Sequence, residues 1–125
     1  MTELKEVSEI KAFLEASLKA LCPPLRVRKE GPNGLEVCGR KEVMQGKQQV
    51  DGYYFASTVL KPKDVRLYFF PIYTDPELYT LSPDLQKMLK GKSCFHLKGL
   101  TPAVQAELQE MMAVGLRRYQ EKELL

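Results

Sequence analysis

Between Val50 and Tyr73 the chain reads VDGYYFASTVLKPKDVRLYFFPIY, and no other stretch gathers so many aromatic and β-branched residues. Two runs of strand character, Tyr53 to Leu60 and Val65 to Ile72, flank Lys61, Pro62, Lys63 and Asp64, a break that suits a four-residue hairpin turn. A hairpin fixes faces. With Leu60 opposite Val65, alternation puts Ala56, Thr58 and Leu60 on one face with Val65, Leu67 and Phe69, and this face is expected to meet helices. The other face then carries Phe55, Ser57, Val59, Arg66, Tyr68, Phe70 and Ile72. Rings mixed with a guanidinium and hydroxyls allow two readings. Another segment covers the face, as is usual for aromatic stripes in strands, or the face is a contact surface. In the second case Phe55, Ser57, Arg66, Tyr68 and Phe70 are the candidate ligand-binding residues, the polar ones bonding an anion and the rings supplying apolar contact.

The remaining segments read as elements that would pack on this hairpin. Thr2 is placed to cap a helix whose Leu4, Val7, Ile10, Leu14, Leu18 and Leu21 recur at helical spacing, ending before Cys22-Pro23-Pro24. A second hairpin, Leu25 to Glu30 and Leu35 to Arg40, is joined by Gly31-Pro32-Asn33-Gly34, whose Asn-Gly pair suits positive φ. Gly39 to Gly52 is polar and without period, which predicts a flexible loop with at most a short strand at its start. Asp75-Pro76 and Ser82-Pro83 each set a capping side chain before a proline, predicting two helical turns, the second from Ser82 to Lys90 with Leu85, Met88 and Leu89 buried and Gly91 at its end. Ser93 to Lys98 alternates as a short strand, with Phe95 and Leu97 on one side and Cys94, His96 and Lys98 on the other. Thr101-Pro102 opens a final helix in which Gly115 interrupts a run of good helix formers, so a ring or backbone is expected close by.

A chain of 125 residues has room for one core, burying roughly two-thirds of the surface its unfolded form exposes, and residues 1–125 are expected to form a single domain. No apolar run is long enough to cross a bilayer, and the acidic, amphipathic start MTELKEVSEI is unlike a signal peptide. Cys22, Cys38 and Cys94 are odd in number and lack C-x-x-C spacing, which fits reduced, structural thiols and a cytoplasmic location. Charge is unevenly spread. Residues 1–21 hold three basic against four acidic side chains and residues 101–125 the same, so the stretch 22–100 keeps 13 basic against 8 acidic. This bias is either a solvated face or a field that steers an anionic partner.

Motifs for chemistry are sparse. Cys94 and His96 point the same way on a strand and are candidate metal ligands, with Cys38 as a possible third, yet His96 is the only histidine and the spacing alone makes no site. The same two residues as thiol and base would need an orienting third group. No Gly-rich loop leads from a strand into a helix, so nucleotide chemistry is not expected. Glu3 and Glu6 serve a helix dipole more readily than acid–base catalysis. Arg66 with Tyr68 and Phe70, and Lys61 and Lys63 at the turn, resemble a basic surface with rings for stacking single-stranded nucleic acid, but a net charge of +3 is small for that.

The segment YYFASTVLKPKDVRLYFFPIYTDPEL, followed by LKGKSCFHLKGL and a closing amphipathic helix, resembles the YdhG-like family of small bacterial proteins, largely of unknown function. Phe55-Ala56, the turn at Lys61 to Asp64, Tyr68 to Pro71, Lys90-Gly91-Lys92 and the strand at Cys94 to Lys98 occupy the family's pattern over roughly residues 50–120. The resemblance implies a leading helix, a hairpin, a short helix, a strand and a closing helix. Some relatives are described as frataxin-like iron chaperones, which implies ferrous iron held by surface carboxylates, here Glu3, Glu6 and Glu9. The fold expected is therefore α+β, an antiparallel sheet of about five strands packed by N- and C-terminal helices. The function expected is a non-enzymatic cytoplasmic binding or accessory domain, without cofactor, for a small anionic ligand or protein partner, acting as monomer or homodimer. Iron delivery and single-stranded nucleic-acid binding are the alternatives.

Overall fold

Residues 2–125 are described by a computed structural model, in which they form eight strands and four α-helices. Helix α1 (Val7–Lys19) leads into a hairpin of β1 (Arg26–Gly31) and β2 (Gly34–Cys38). A small separate hairpin follows, β3 (Val43–Gln45) and β4 (Gln48–Val50), then the long hairpin of β5 (Tyr54–Leu60) and β6 (Val65–Phe69). Helix α2 (Phe70–Thr74), a 3-10 turn (Pro76–Leu78) and α3 (Pro83–Met88) lead to β7 (Leu89–Lys90), β8 (Cys94–Leu97) and α4 (Pro102–Glu121). Six strands form one antiparallel sheet in the order β1-β2-β5-β6-β8-β7, while β3 and β4 pair with each other. The architecture is thus α+β, with one strand more than the expected five.

The central hairpin forms in the expected register, Leu60 opposite Val65 and Ala56 opposite Phe69, its turn closed by the Lys61 N–H donating to the Asp64 carbonyl at 2.9 Å. Ala56, Thr58, Val65, Leu67 and Phe69 are buried. Against them pack Ile10, Leu14 and Leu18 of α1 and Val104, Leu108, Met111, Met112 and Tyr119 of α4, forming one continuous core with Phe95 and Leu97 of β8. Both long helices therefore lie on the same side of the sheet. Burying a Leu or Phe side chain in such a core is worth about 1.5–3 kcal/mol each.

Two caps are formed as the sequence predicts: Ser82 Oγ accepts from the Leu85 N–H and Thr101 Oγ1 from the Val104 N–H, each at 3.2 Å. Glu107 of α4 reaches the first of these, accepting from the Ser82 N–H at 2.8 Å and hydroxyl at 2.6 Å. Gly115 also behaves as expected. A Cβ there would lie 2.9 Å from Phe69 Cζ and 3.0 Å from Pro71 Cγ.

Several boundaries differ. Thr2 does not cap α1, which starts at Val7 with Glu9 Oε1 accepting from the Glu6 N–H at 3.2 Å. The preceding backbone is extended instead, Leu4 bridging Leu100, while Gln105 donates to the Thr2 carbonyl at 2.7 Å. At the first hairpin Pro32 and Asn33 form the turn, and the Asn-Gly pair takes no positive φ, because Gly34 already belongs to β2, where a Cβ would sit 2.0 Å from the Thr58 carbonyl oxygen. The polar stretch expected to be a loop folds into β3–β4 around Gly46 at φ 64°. The helix expected through Lys90 stops at Met88, and Leu89 and Lys90 turn into the edge strand β7, with Gly91 at φ 77° in the turn to β8.

Candidate functional site

The sheet face away from α1 and α4 is built in rows across the strands. Glu36 of β2, Ser57 of β5, Tyr68 of β6, Cys94 of β8 and Lys90 of β7 are successive register partners, and Gly34, Val59, Arg66 and His96 form the next row. Every side chain at Glu36, Ser57, Val59, Arg66, Tyr68, Cys94 and His96 is half-exposed. Alternation in β5, β6 and β8 alone brings Ser57, Arg66 and Tyr68 together on this face, as the sequence predicts.

Two residues assigned to this face are elsewhere. Phe55 is fully buried in the core, its ring edge-on to Phe69 at 5.4 Å and to Tyr119 at 5.2 Å. The cause is a β-bulge: Val37 pairs with Ala56 but the next residue, Cys38, pairs with Tyr54, so Phe55 is the extra residue and turns to the same side as Ala56. Tyr119 holds the bulge, donating its hydroxyl to the Tyr54 carbonyl. Ile72 is likewise buried, because Pro71 sits in the first turn of α2 and β6 ends at Phe69. Phe70, first residue of α2, is half-buried between Tyr53 (5.9 Å), Tyr54 (5.7 Å) and Tyr73 (5.6 Å), so it closes the upper end of the face instead of standing in a strand.

The bulge has a second effect, which places Tyr54 on the outer face with its hydroxyl 2.5 Å from Ser57 Oγ. Burial pushes the Tyr54 phenol up to about 12, against a smaller opposing effect of the Ser57 hydrogen bond, so it stays a neutral donor or acceptor at physiological pH. Nothing in the sequence marked Tyr54, since three rings in succession at 53–55 do not say where alternation breaks.

Ion pairs form at both ends of the sheet. At the β1–β2 end Arg28 binds Glu36 at 2.7 Å and Asp51 at 3.0 Å, Arg26 binds Asp51 at 2.7 Å, and Lys19 binds Glu30. The Asp51 carboxyl is held below its ordinary value, chiefly by its hydrogen bond from Arg28. At the β6–β8–β7 end Arg66 Nε meets the buried Asp64 at 3.2 Å, and His96 Nδ1 lies 4.0 Å from the same carboxylate. Lys29 of β1 makes no ion pair among the described residues, and neither do Lys61, Lys63, Lys87, Lys90, Lys92 and Lys98, three of which, Lys87, Lys90 and Lys98, line one cavity.

Cys94 and His96 do share a face, as expected, but Cys38 lies across three strand spacings in β2, about 14 Å away. It is fully buried, and burial pushes its thiol up against the opposing charges of Arg28 and Arg26. No group of three or more His, Cys, Asp or Glu that could hold a metal ion is found among the described residues. Glu3, Glu6 and Glu9 do not add one, and Glu9 is engaged with the backbone of Lys5 and Glu6.

Size does not choose among the surface depressions. A groove of about 660 Å³ runs between Tyr73, Tyr79, Leu81, Leu89 and Lys92, and a shallow one of about 740 Å³ runs along β1, β2 and β5. The smaller cavity of about 360 Å³ between Asp64, Lys87, Lys90, His96 and Lys98 has the largest net positive charge. No helix among the described residues is long and apolar enough to cross a membrane. No family model, curated protein or solved structure matches this chain.

Proposed function

We propose that this chain is a non-enzymatic, cytoplasmic binding or accessory protein akin to the YdhG-like proteins, and that the face of Ser57, Arg66 and Tyr68 receives a small anionic ligand. The observation that carries this reading is the gathering of cations toward one end of the outer face: Lys87, Lys90 and Lys98 line one cavity with His96 and make no ion pair among the described residues, whereas Arg26 and Arg28 beside β1 and β2 are bound to Asp51 and Glu36. An anion arriving there has no ion pair to break, and several cations around one cavity add their fields. Tyr54, Tyr68 and Ser57 add hydroxyls, and the Phe70 cluster adds apolar area at one end of the same face.

The order of a leading helix, hairpin, short helix, Lys-Gly-Lys approach, strand and closing helix supports the kinship with YdhG-like proteins. Three free cysteines support a reducing compartment. Iron delivery finds less support, since Glu9 is occupied at the start of α1.

A suitable probe is 8-anilinonaphthalene-1-sulfonate, which joins an aromatic surface to one negative charge. Fluorescence titration of the native protein should give saturable binding that Arg66→Gln and Tyr68→Ala each weaken by about five- to tenfold. Unchanged affinity in both variants would remove this face as the site.

A further inference from the structure

Within that proposed anionic face, and resting on it, we infer that the cavity between α3, β7 and β8 is a phosphate subsite, taking the dianionic head of a small phosphate monoester. Three separate segments deliver its cations: Lys87 from α3, Lys90 from β7 and Lys98 from the chain just beyond β8. His96, one strand residue before Leu97, completes the lining with Met88 and Gly99. The three lysines are exposed and make no ion pair among the described residues, so their like charges are held near one another without a resident counter-ion. Such an arrangement lowers the free energy of a multivalent anion more than that of a single charge.

Asp64 is the one carboxylate in the lining, and it opposes an anion. Its effect is offset locally, since it is buried and faces Arg66 Nε at 3.2 Å and His96 Nδ1 at 4.0 Å. Asp64 is therefore engaged by Arg66 from beside the cavity and lies next to His96 in its wall, and the lysines supply the uncompensated charge. The volume of about 360 Å³ admits a phosphate with a small organic remainder. It is a pocket at one end of the sheet and not a groove following the strands, which favours a compact monoester over the repeating diesters of a nucleic-acid strand.

Inorganic phosphate, titrated into the protein at constant ionic strength by exchange against chloride, tests this by amide and His96 imidazole shifts in NMR spectra. Saturable shifts centred on Lys87, Lys90, His96 and Lys98 are expected, and Lys87→Ala/Lys90→Ala should weaken binding about tenfold. A Lys5→Ala/Lys47→Ala protein has the same net charge and should bind like wild type. An equal loss in both double variants would mean long-range charge alone and would overturn the subsite, as would a ten-nucleotide thymidine strand binding far more tightly than phosphate. Absence of phosphate shifts while the aromatic sulfonate still binds at Arg66 and Tyr68 would overturn the subsite but leave the wider face standing. Failure of both probes would overturn the two together.

Discussion

A methyl group added at Gly115 would press on the ring of Phe69 and on both Pro71 Cβ and Cγ, at 2.9 to 3.1 Å. Phe69 is fully buried and Pro71 is fixed by its own ring, so neither can retreat easily. Gly115→Ala should therefore destabilise by about 1–2 kcal/mol despite a gain of about 1 kcal/mol in helix propensity, read from urea unfolding as a lower midpoint at unchanged slope. Phe55 and Tyr68 make a sharper pair, because simple alternation puts them on one face and the bulge separates them. Phe55→Ala removes a core ring that touches Phe69 and Tyr119, and should cost about 3–5 kcal/mol. Tyr68→Ala removes one half-exposed cross-strand partner of Ser57 and should cost about 1 kcal/mol or less. Equal losses at the two positions in the same unfolding experiment would contradict the bulge.

At the level of elements, α4 is tied to the segment after β6 through one carboxylate. Asp75 is buried, with Arg118 Nη1 at 3.2 Å and Lys122 Nζ at 2.8 Å. Burial alone would raise its carboxyl, but the Lys122 and Thr74 hydrogen bonds and the charges of Lys122 and Arg118 hold it below its ordinary value. A depressed folded value means the unfolded chain takes up the proton first. Asp75 thus contributes stability above its unfolded value of about 3.9, and this is lost as pH falls through the folded one. Asp75→Asn should lower stability at pH 7 by about 1–3 kcal/mol and flatten the acid limb of the stability curve; an unchanged acid limb would count against the tie. The same residue shows what a sequence conceals. Asp75-Pro76 looks like Ser82-Pro83 and Thr101-Pro102, and the latter two do cap helices, because their partners lie three residues away. The cationic partners of Asp75 lie 43 and 47 residues on, where no local pattern reaches. The Leu60–Val65 register was legible because turn chemistry and alternation agree, and it carried Ser57, Arg66 and Tyr68 correctly to one face. The bulge at Phe55 depends on a Tyr119 hydroxyl and was not. Strands as short as β3, β4 and β7 hold too few residues to show a period of two.

The whole molecule divides its labour between two faces of one sheet. One face is dry and holds both long helices; the other is half-exposed, with Lys87, Lys90 and Lys98 around one cavity beside β7 and β8. Three phenols, Tyr119 buried and Tyr54 and Tyr79 partly buried, add a limit at high pH. Tyr54, Tyr79 and Tyr119 are all raised above their ordinary value, first of all by burial. Raised folded values mean the unfolded chain loses these protons first, so their contribution is whole below about pH 10 and declines as pH rises beyond it. Ultraviolet titration of phenolate should find about half of the six tyrosines ionising together with unfolding, and six tyrosines ionising early while the fold persists would contradict their burial. The outer sheet face is proposed as a site for anions. Its most direct test is a map of backbone amide shifts as 8-anilinonaphthalene-1-sulfonate is added to uniformly labelled protein. Shifts are expected along Ser57, Arg66, Tyr68, Cys94 and His96, with Phe55 and the α1 core residues still. Shifts confined to the Tyr73–Leu81 groove, or scattered over α1 and α4, would contradict it.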